Sequence, residues 1–132
     1  MTADNRSKFW SHVLPLYIYT MAVFVACTVP VAMPRHGGLW TDKTEHLAAF
    51  ALFEILVARA LHRLKPKLLQ RHAWAVVFSA LYGGLIEIWQ GLVPWRSMEL
   101  GDWVADVLGA LLGALIYGGL QRSCKPAASA QS

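Results

Sequence analysis

Charge is scarce in this sequence: Asp, Glu, Lys and Arg make up 15% of its 132 residues. A soluble domain of this size has a large surface to wet and usually carries about a quarter charged residues. The shortage excludes an ordinary water-soluble body, and the length bounds the chain to one domain. Cysteine is also scarce. Cys27 and Cys124 form neither a disulfide framework nor a CxxC metal pair, and carry no signal of redox compartment. A paired-His zincin motif, an EF-hand loop, a recognisable Ser-His-Asp arrangement and an internal repeat are all missing. The net charge of +4 and pI near 9.3 point superficially to nucleic acid. Yet the twelve Lys and Arg residues lie between long apolar stretches and make no basic face, so no nucleic-acid partner is expected.

What fills the chain instead is apolar sequence, 56% hydrophobic with a mean hydropathy of +0.41. Phe9 to Pro34 runs for 26 residues without an Asp, Glu, Lys or Arg, beyond the roughly 20 that span a hydrocarbon core as helix. A second, shorter stretch reaches from Thr41 to His62 and is interrupted by Glu54. A third, Ala73 to Trp95, holds one charge, Glu87, and a fourth, Trp103 to Gln121, holds one, Asp106. The first is too long for a signal-peptide core, and no A-x-A-like site follows it, so it is read as a retained span. The expected fold is all-α, a polytopic integral membrane four-helix bundle. Its spans fall at about 12–33, 42–62, 73–93 and 103–121, within one domain over 1–122, and a disordered tail follows over 123–132.

Direction follows from the cations. Arg6, Lys8, Arg59, Arg63, Lys65, Lys67, Arg71, Arg122 and Lys125 fall on one side of such a bundle, against Arg35, Lys43 and Arg96 on the other. Cytoplasmic loops collect Lys and Arg, so both termini are expected inside. Trp10, Trp40, Trp95 and Trp103 fall near the expected interfaces, where aromatic rings anchor spans.

The two loops left on the outer side are dense with reactive side chains: Thr41 to His46, and Pro94 to Asp102. Asp42 and His46 are four apart, as are Asp102 and Asp106, while Glu87 and Gln90 are three apart, so each pair shares a helix face. Asp42 and Asp102 suit helix starts, where negative charge is favoured, and Arg96 suits snorkelling at an interface. His46 alone would read as a structural histidine; in this company it reads as functional. Glu87 and Asp106 are expensive inside a span and are expected to face the bundle interior or a wet cavity. Gly109 and Gly113 continue the Asp106 face, and Gly83 lies four before Glu87, so these glycines are expected at close helix contacts. Glu54 lies deeper, about 80° around the helix from His46, and reads as structural or as a helper.

Taken in order, D-K-x-x-H (Asp42, Lys43, His46), E-x-x-Q (Glu87, Gln90), P-x-R with a following Asp (Pro94, Arg96, Asp102) and D-x-x-G (Asp106, Gly109) resemble the VanZ-like membrane family. The resemblance covers Trp40 to about Tyr117. One departure stands out: the family commonly has Asn where this chain has Asp106. The resemblance implies a bacterial inner-membrane protein of the cell envelope, with its polar site facing the extracytoplasmic side. The family's founding member is associated with low-level resistance to the glycopeptide teicoplanin, and wider relatives act on lipid or lipid-linked head groups.

Two function classes follow. In the first, an outward-facing pocket binds or processes a phosphate-bearing lipid head group. Asp42, Lys43, Gln90, Arg96 and Asp106 would bind it, with Arg96 clamping phosphate oxygens and Lys43 adding a compact charge. His46, Glu87 and Asp102 would carry any proton transfer, His46 as acid or base with its imidazole oriented by Asp42 or Asp102. Whether there is turnover stays open. No cofactor is expected, although His46, Glu87, Asp102 and Asp106 form an oxygen-rich set suited to Mg, Mn or Ca. In the second class the chain is a non-catalytic accessory subunit of a larger membrane complex. Its partners are then other subunits, where in the first they are membrane lipids.

Overall fold

The computed structural model describes residues 3–30, 39–64 and 66–124, all helical or connecting. Four helices follow one another: α1 (Ala3–Thr28), α2 (Leu39–Leu61), α3 (Leu68–Leu92) and α4 (Leu100–Ser123). A 3₁₀ turn, His62–Leu64, closes α2. Each helix differs in extent from the apolar stretch that announced it. α3 starts at Leu68 rather than 73 and α4 at Leu100 rather than 103. Hydropathy marks the depth of hydrocarbon, whereas backbone hydrogen bonding carries a helix on into the polar border. The first span was expected to reach 33, but α1 ends at Thr28, and residues 31–38 lie outside the described part. α4 continues through Ser123, whose hydroxyl donates to the Gly119 carbonyl at 3.2 Å. Beyond Cys124, which caps α4, the tail expected to be disordered lies outside the described residues.

Three helices are long and apolar enough to cross a membrane: Phe9–Thr28 within α1, together with α3 and α4. α2 equals them in length but carries Asp42, Lys43, Glu45, Glu54 and Arg59. Its position explains how it holds them. α2 packs most extensively on α4, then on α3 and α1, and this buries Glu54 while Glu45 and Arg59, near its two ends, stay exposed. The contact with α4 is close because it runs over glycines. A Cβ at Gly109 would collide with the Leu47 carbonyl, and one at Gly113 with the Ala51 carbonyl, so only a missing side chain permits this approach.

The apolar core gathers where α1, α2 and α3 meet, around Val23, Phe50, Phe53, Val57, Ala75 and Ile86. Phe53 stacks on Tyr82 with ring centroids 4.9 Å apart. Two tyrosines then tie α1 to this core by their hydroxyls: Tyr19 donates to the Ala49 carbonyl at 3.0 Å, and Tyr82 to the Thr20 carbonyl at 2.6 Å. Otherwise α1 is mostly exposed, with Tyr17, Ile18, Met21 and Val25 facing away from the bundle.

Candidate functional site

The end of the bundle where α2 and α4 begin and α3 finishes is the polar one. A cavity of about 360 Å³ opens there, lined by Pro30, Asp42, Gln90, Trp95, Arg96, Ser97, Glu99 and Asp102. Asp42, Gln90 and Asp102 each come from a different helix. One turn deeper on the same three helices stand His46, Glu87 and Asp106, as the three- and four-residue spacings dictate. The upper layer lines the cavity, and the lower layer is closed inside the bundle. Glu87 is 1% exposed, Asp106 fully buried and His46 9% exposed.

The lower layer is knit by two contacts. His46 Nδ1 lies 2.9 Å from Asp106 Oδ1. The imidazole is therefore oriented by Asp106, and not by Asp42 or Asp102 as its motif suggested. The backbone N–H of Glu99 donates to Glu87 Oε2 at 2.8 Å, which pins the α3–α4 loop over α3. Each carboxylate keeps one buried oxygen without a partner: Glu87 Oε1 and Asp106 Oδ2. Ligand atoms of His46, Glu87 and Asp106 all lie within 4.8 Å of one another, close enough to share a metal ion. Asp102, expected in the same set, is not among them. Gly83 makes room for the group, since a Cβ there would sit 2.6 Å from Asp106 Oδ2.

In the upper layer Lys43 Nζ donates to Asp102 Oδ1 at 2.9 Å and lies 3.8 Å from Glu99 Oε2. Lys43 is thus balanced by two carboxylates, and among the described residues the cation that lines the cavity is Arg96. Neither acid read as a helix cap is one. Asp42 stands inside the first turn of α2. Asp102 stands inside that of α4, whose cap residue is Glu99, acting without a side-chain bond. In both places the dipole still favours the charge.

Gln90 and Arg96 have a second task. The last carbonyls of α1 have no partner within their own helix. Gln90 Nε2 donates to the Cys27 carbonyl at 3.3 Å and Arg96 Nη2 to that of Ala26 at 3.4 Å. Trp95 Nε1 donates to the Thr28 carbonyl at 2.9 Å. The cavity wall is therefore also the clamp on the end of α1. Sequence spacing did not announce Trp95 or Glu99 as part of the site, because their roles depend on where the loop folds back.

A second polar cluster, at the far end of the bundle, was also unannounced. His72 Nδ1 lies 2.7 Å from Glu54 Oε1. Gln121 Oε1 accepts from Arg71 and lies 3.5 Å from His72 Nε2. All but Gln121 are buried. The signal was an acid, Glu54, inside an apolar stretch, which demands a partner where it is buried. Arg71 and His72 were missed as partners because they precede the uncharged run from Ala73.

No curated protein and no solved structure matches the chain. The family profile VanZ/LLP1 matches residues 5–121, which takes in α1 as well as the motif-bearing helices and all but the end of α4. With its spans, its motif order and this match over most of its length, the chain belongs to the VanZ/LLP1 family.

Proposed function

We propose that the cavity binds a phosphate-bearing lipid or lipid-linked envelope head group presented by the outer leaflet of a bacterial inner membrane. In this reading all four helices cross, both termini lie in the cytoplasm, and the polar end faces outward. One observation supports it above the rest: a roomy polar cavity at a helix-bundle end, with Arg96 in its wall. A guanidinium offers paired donors that match phosphate oxygens, and this one makes only a single long bond, to Ala26. Its place beside Trp95 and Pro30 lets acyl chains lie along the bundle while the head group enters. His46, oriented by Asp106 one turn below, is the group suited to move a proton if the bound ester reacts. Membership of the family extends the reading to teicoplanin-type glycopeptide resistance, checked by comparing the susceptibility of a host with and without the chain.

The test is native mass spectrometry after mild solubilisation, comparing the unaltered chain with Arg96→Ala and His46→Ala. A phospholipid or polyprenyl-linked adduct on the unaltered chain, lost from Arg96→Ala, is the expected result. Stoichiometric protein partners retained by both variants, with no lipid, would overturn it in favour of an accessory subunit. A fusion at residues 66–71 that is active only outside the cytoplasm would reverse the orientation.

A further inference from the structure

The head-group reading leaves the lower layer with unbalanced charge. Glu87 and Asp106 are two buried carboxylates facing one imidazole, so the group stays negative overall unless a carboxylate takes up a proton. Lys43, a cation of the layer above, is taken up by Asp102 and Glu99. One oxygen of each carboxylate is satisfied, Asp106 Oδ1 by His46 and Glu87 Oε2 by the Glu99 amide. The other two, Glu87 Oε1 and Asp106 Oδ2, have been stripped of water and given nothing in exchange. Leaving a buried carboxylate so exposed to low dielectric is costly, and native proteins relieve it by pairing or by a metal.

We infer that His46, Glu87 and Asp106 bind one divalent first-row cation of the Mn²⁺ or Zn²⁺ class. Three ligands from three helices, all within 4.8 Å of one another, are the protein half of a coordination sphere. The donor set selects the ion: a ring nitrogen with two carboxylates suits Mn²⁺ or Zn²⁺, whereas Ca²⁺ takes six to eight oxygens. Three protein ligands leave open positions, the arrangement of catalytic rather than structural sites. Gly83 is needed for the same reason, because any side chain there would press on Asp106 Oδ2. The far-end cluster also leaves a buried carboxylate oxygen, Glu54 Oε2, without a partner, but Glu54 stands there as one acid beside His72 and Arg71, and it joins no three-ligand group among the described residues.

The full chain in detergent, stripped with a chelator and dialysed, is titrated with MnCl₂ while the free aqueous ion is followed by electron paramagnetic resonance. ZnCl₂ is titrated in parallel by calorimetry. One ion per chain is expected for at least one of the two metals. Glu87→Gln and Asp106→Asn keep shape and remove charge, and each should weaken binding at least tenfold. Glu54→Gln should bind as the unaltered chain does. Sub-stoichiometric uptake of both metals at millimolar concentration would overturn the inference, as would equal affinity in both isosteric variants, or an equal loss in Glu54→Gln. Should one isosteric variant fail to fold, the other decides. A chain that takes up the ion but no lipid would keep this inference and lose the head-group reading, so the two fail separately.

Discussion

His46 with Asp106 near one end of the bundle, and His72 with Glu54 near the other, are alike in distance, 2.9 and 2.7 Å, and both pairs are buried. Their surroundings differ. The far-end pair sets one carboxylate beside two basic groups, although Arg71 bonds Gln121 and Glu54 Oε2 keeps no hydrogen-bond partner. The cavity next to it, about 370 Å³, is walled mainly by Leu68, Leu69, Leu111, Ala114 and Leu115. At the other end a second carboxylate, Glu87, is added where a second base would balance the charge, and the cavity above is polar. A buried pair that is balanced and faces apolar walls holds helices together. One that carries surplus charge beneath a polar cavity is set up to receive something, and the contrast separates the two roles without any ligand in view.

The contrast depends on α2 lying tight against α4, so the strongest way to break it acts there. Gly109→Val places a branched side chain where even a Cβ would collide with the Leu47 carbonyl. Overpacking a close contact costs about 3 kcal/mol, or more when backbone must move. Both ends should fail together, seen as lost accumulation or a collapse in the thermal midpoint in detergent. A variant that keeps its midpoint would mean that α2 and α4 do not meet over Gly109.

Smaller in effect, and sharper, is to remove one charge at each end and compare. Glu54→Gln leaves Arg71 and His72 without an opposing carboxylate, and should cost about 2 kcal/mol. Asp106→Asn in the presence of chelator removes surplus charge, and should change stability by no more than about 0.5 kcal/mol in either direction. Thermal unfolding of both variants in one detergent reads the difference. Equal losses would mean that the two ends are electrostatically the same, and would remove the argument for a receptive site.

Much of this arrangement was legible in the chain, and the parts that were not have physical reasons. Period and spacing place Asp42 above His46, Asp102 above Asp106 and Gln90 above Glu87, because a helix fixes what lies one turn apart. They also mark Gly83, Gly109 and Gly113 as places of close approach, and each lies against a neighbouring helix. Pairing between helices is another matter. That Asp106 takes His46 while Asp102 takes Lys43 depends on axial offsets between α2 and α4, which no single helix encodes. The far-end cluster was hidden by a rule that assigns flanking cations to the water. Here α3 begins at Leu68, more than one turn before its uncharged run, and His72 turns inward to an acid within α2 while Arg71 bonds Gln121 of α4.

α1 is held differently at its two ends. Near its start, Arg63 lies over the Phe9 ring at 4.9 Å, a contact worth about 0.5 kcal/mol where water can reach it. At its finish, Gln90, Trp95 and Arg96 donate to three successive carbonyls that the helix itself cannot satisfy. Trp95→Phe removes the shortest of those bonds while keeping an aromatic ring, and should cost about 1 kcal/mol. Arg63→Ala should cost about half as much. Because Trp95 also lines the cavity, only the first change should loosen lipid retention as well as lower the thermal midpoint. The Trp95 variant is therefore to be read by native mass spectrometry and unfolding together. A fall in midpoint without loss of lipid would make the clamp on α1 and the cavity wall separable, and would move the head group away from Trp95.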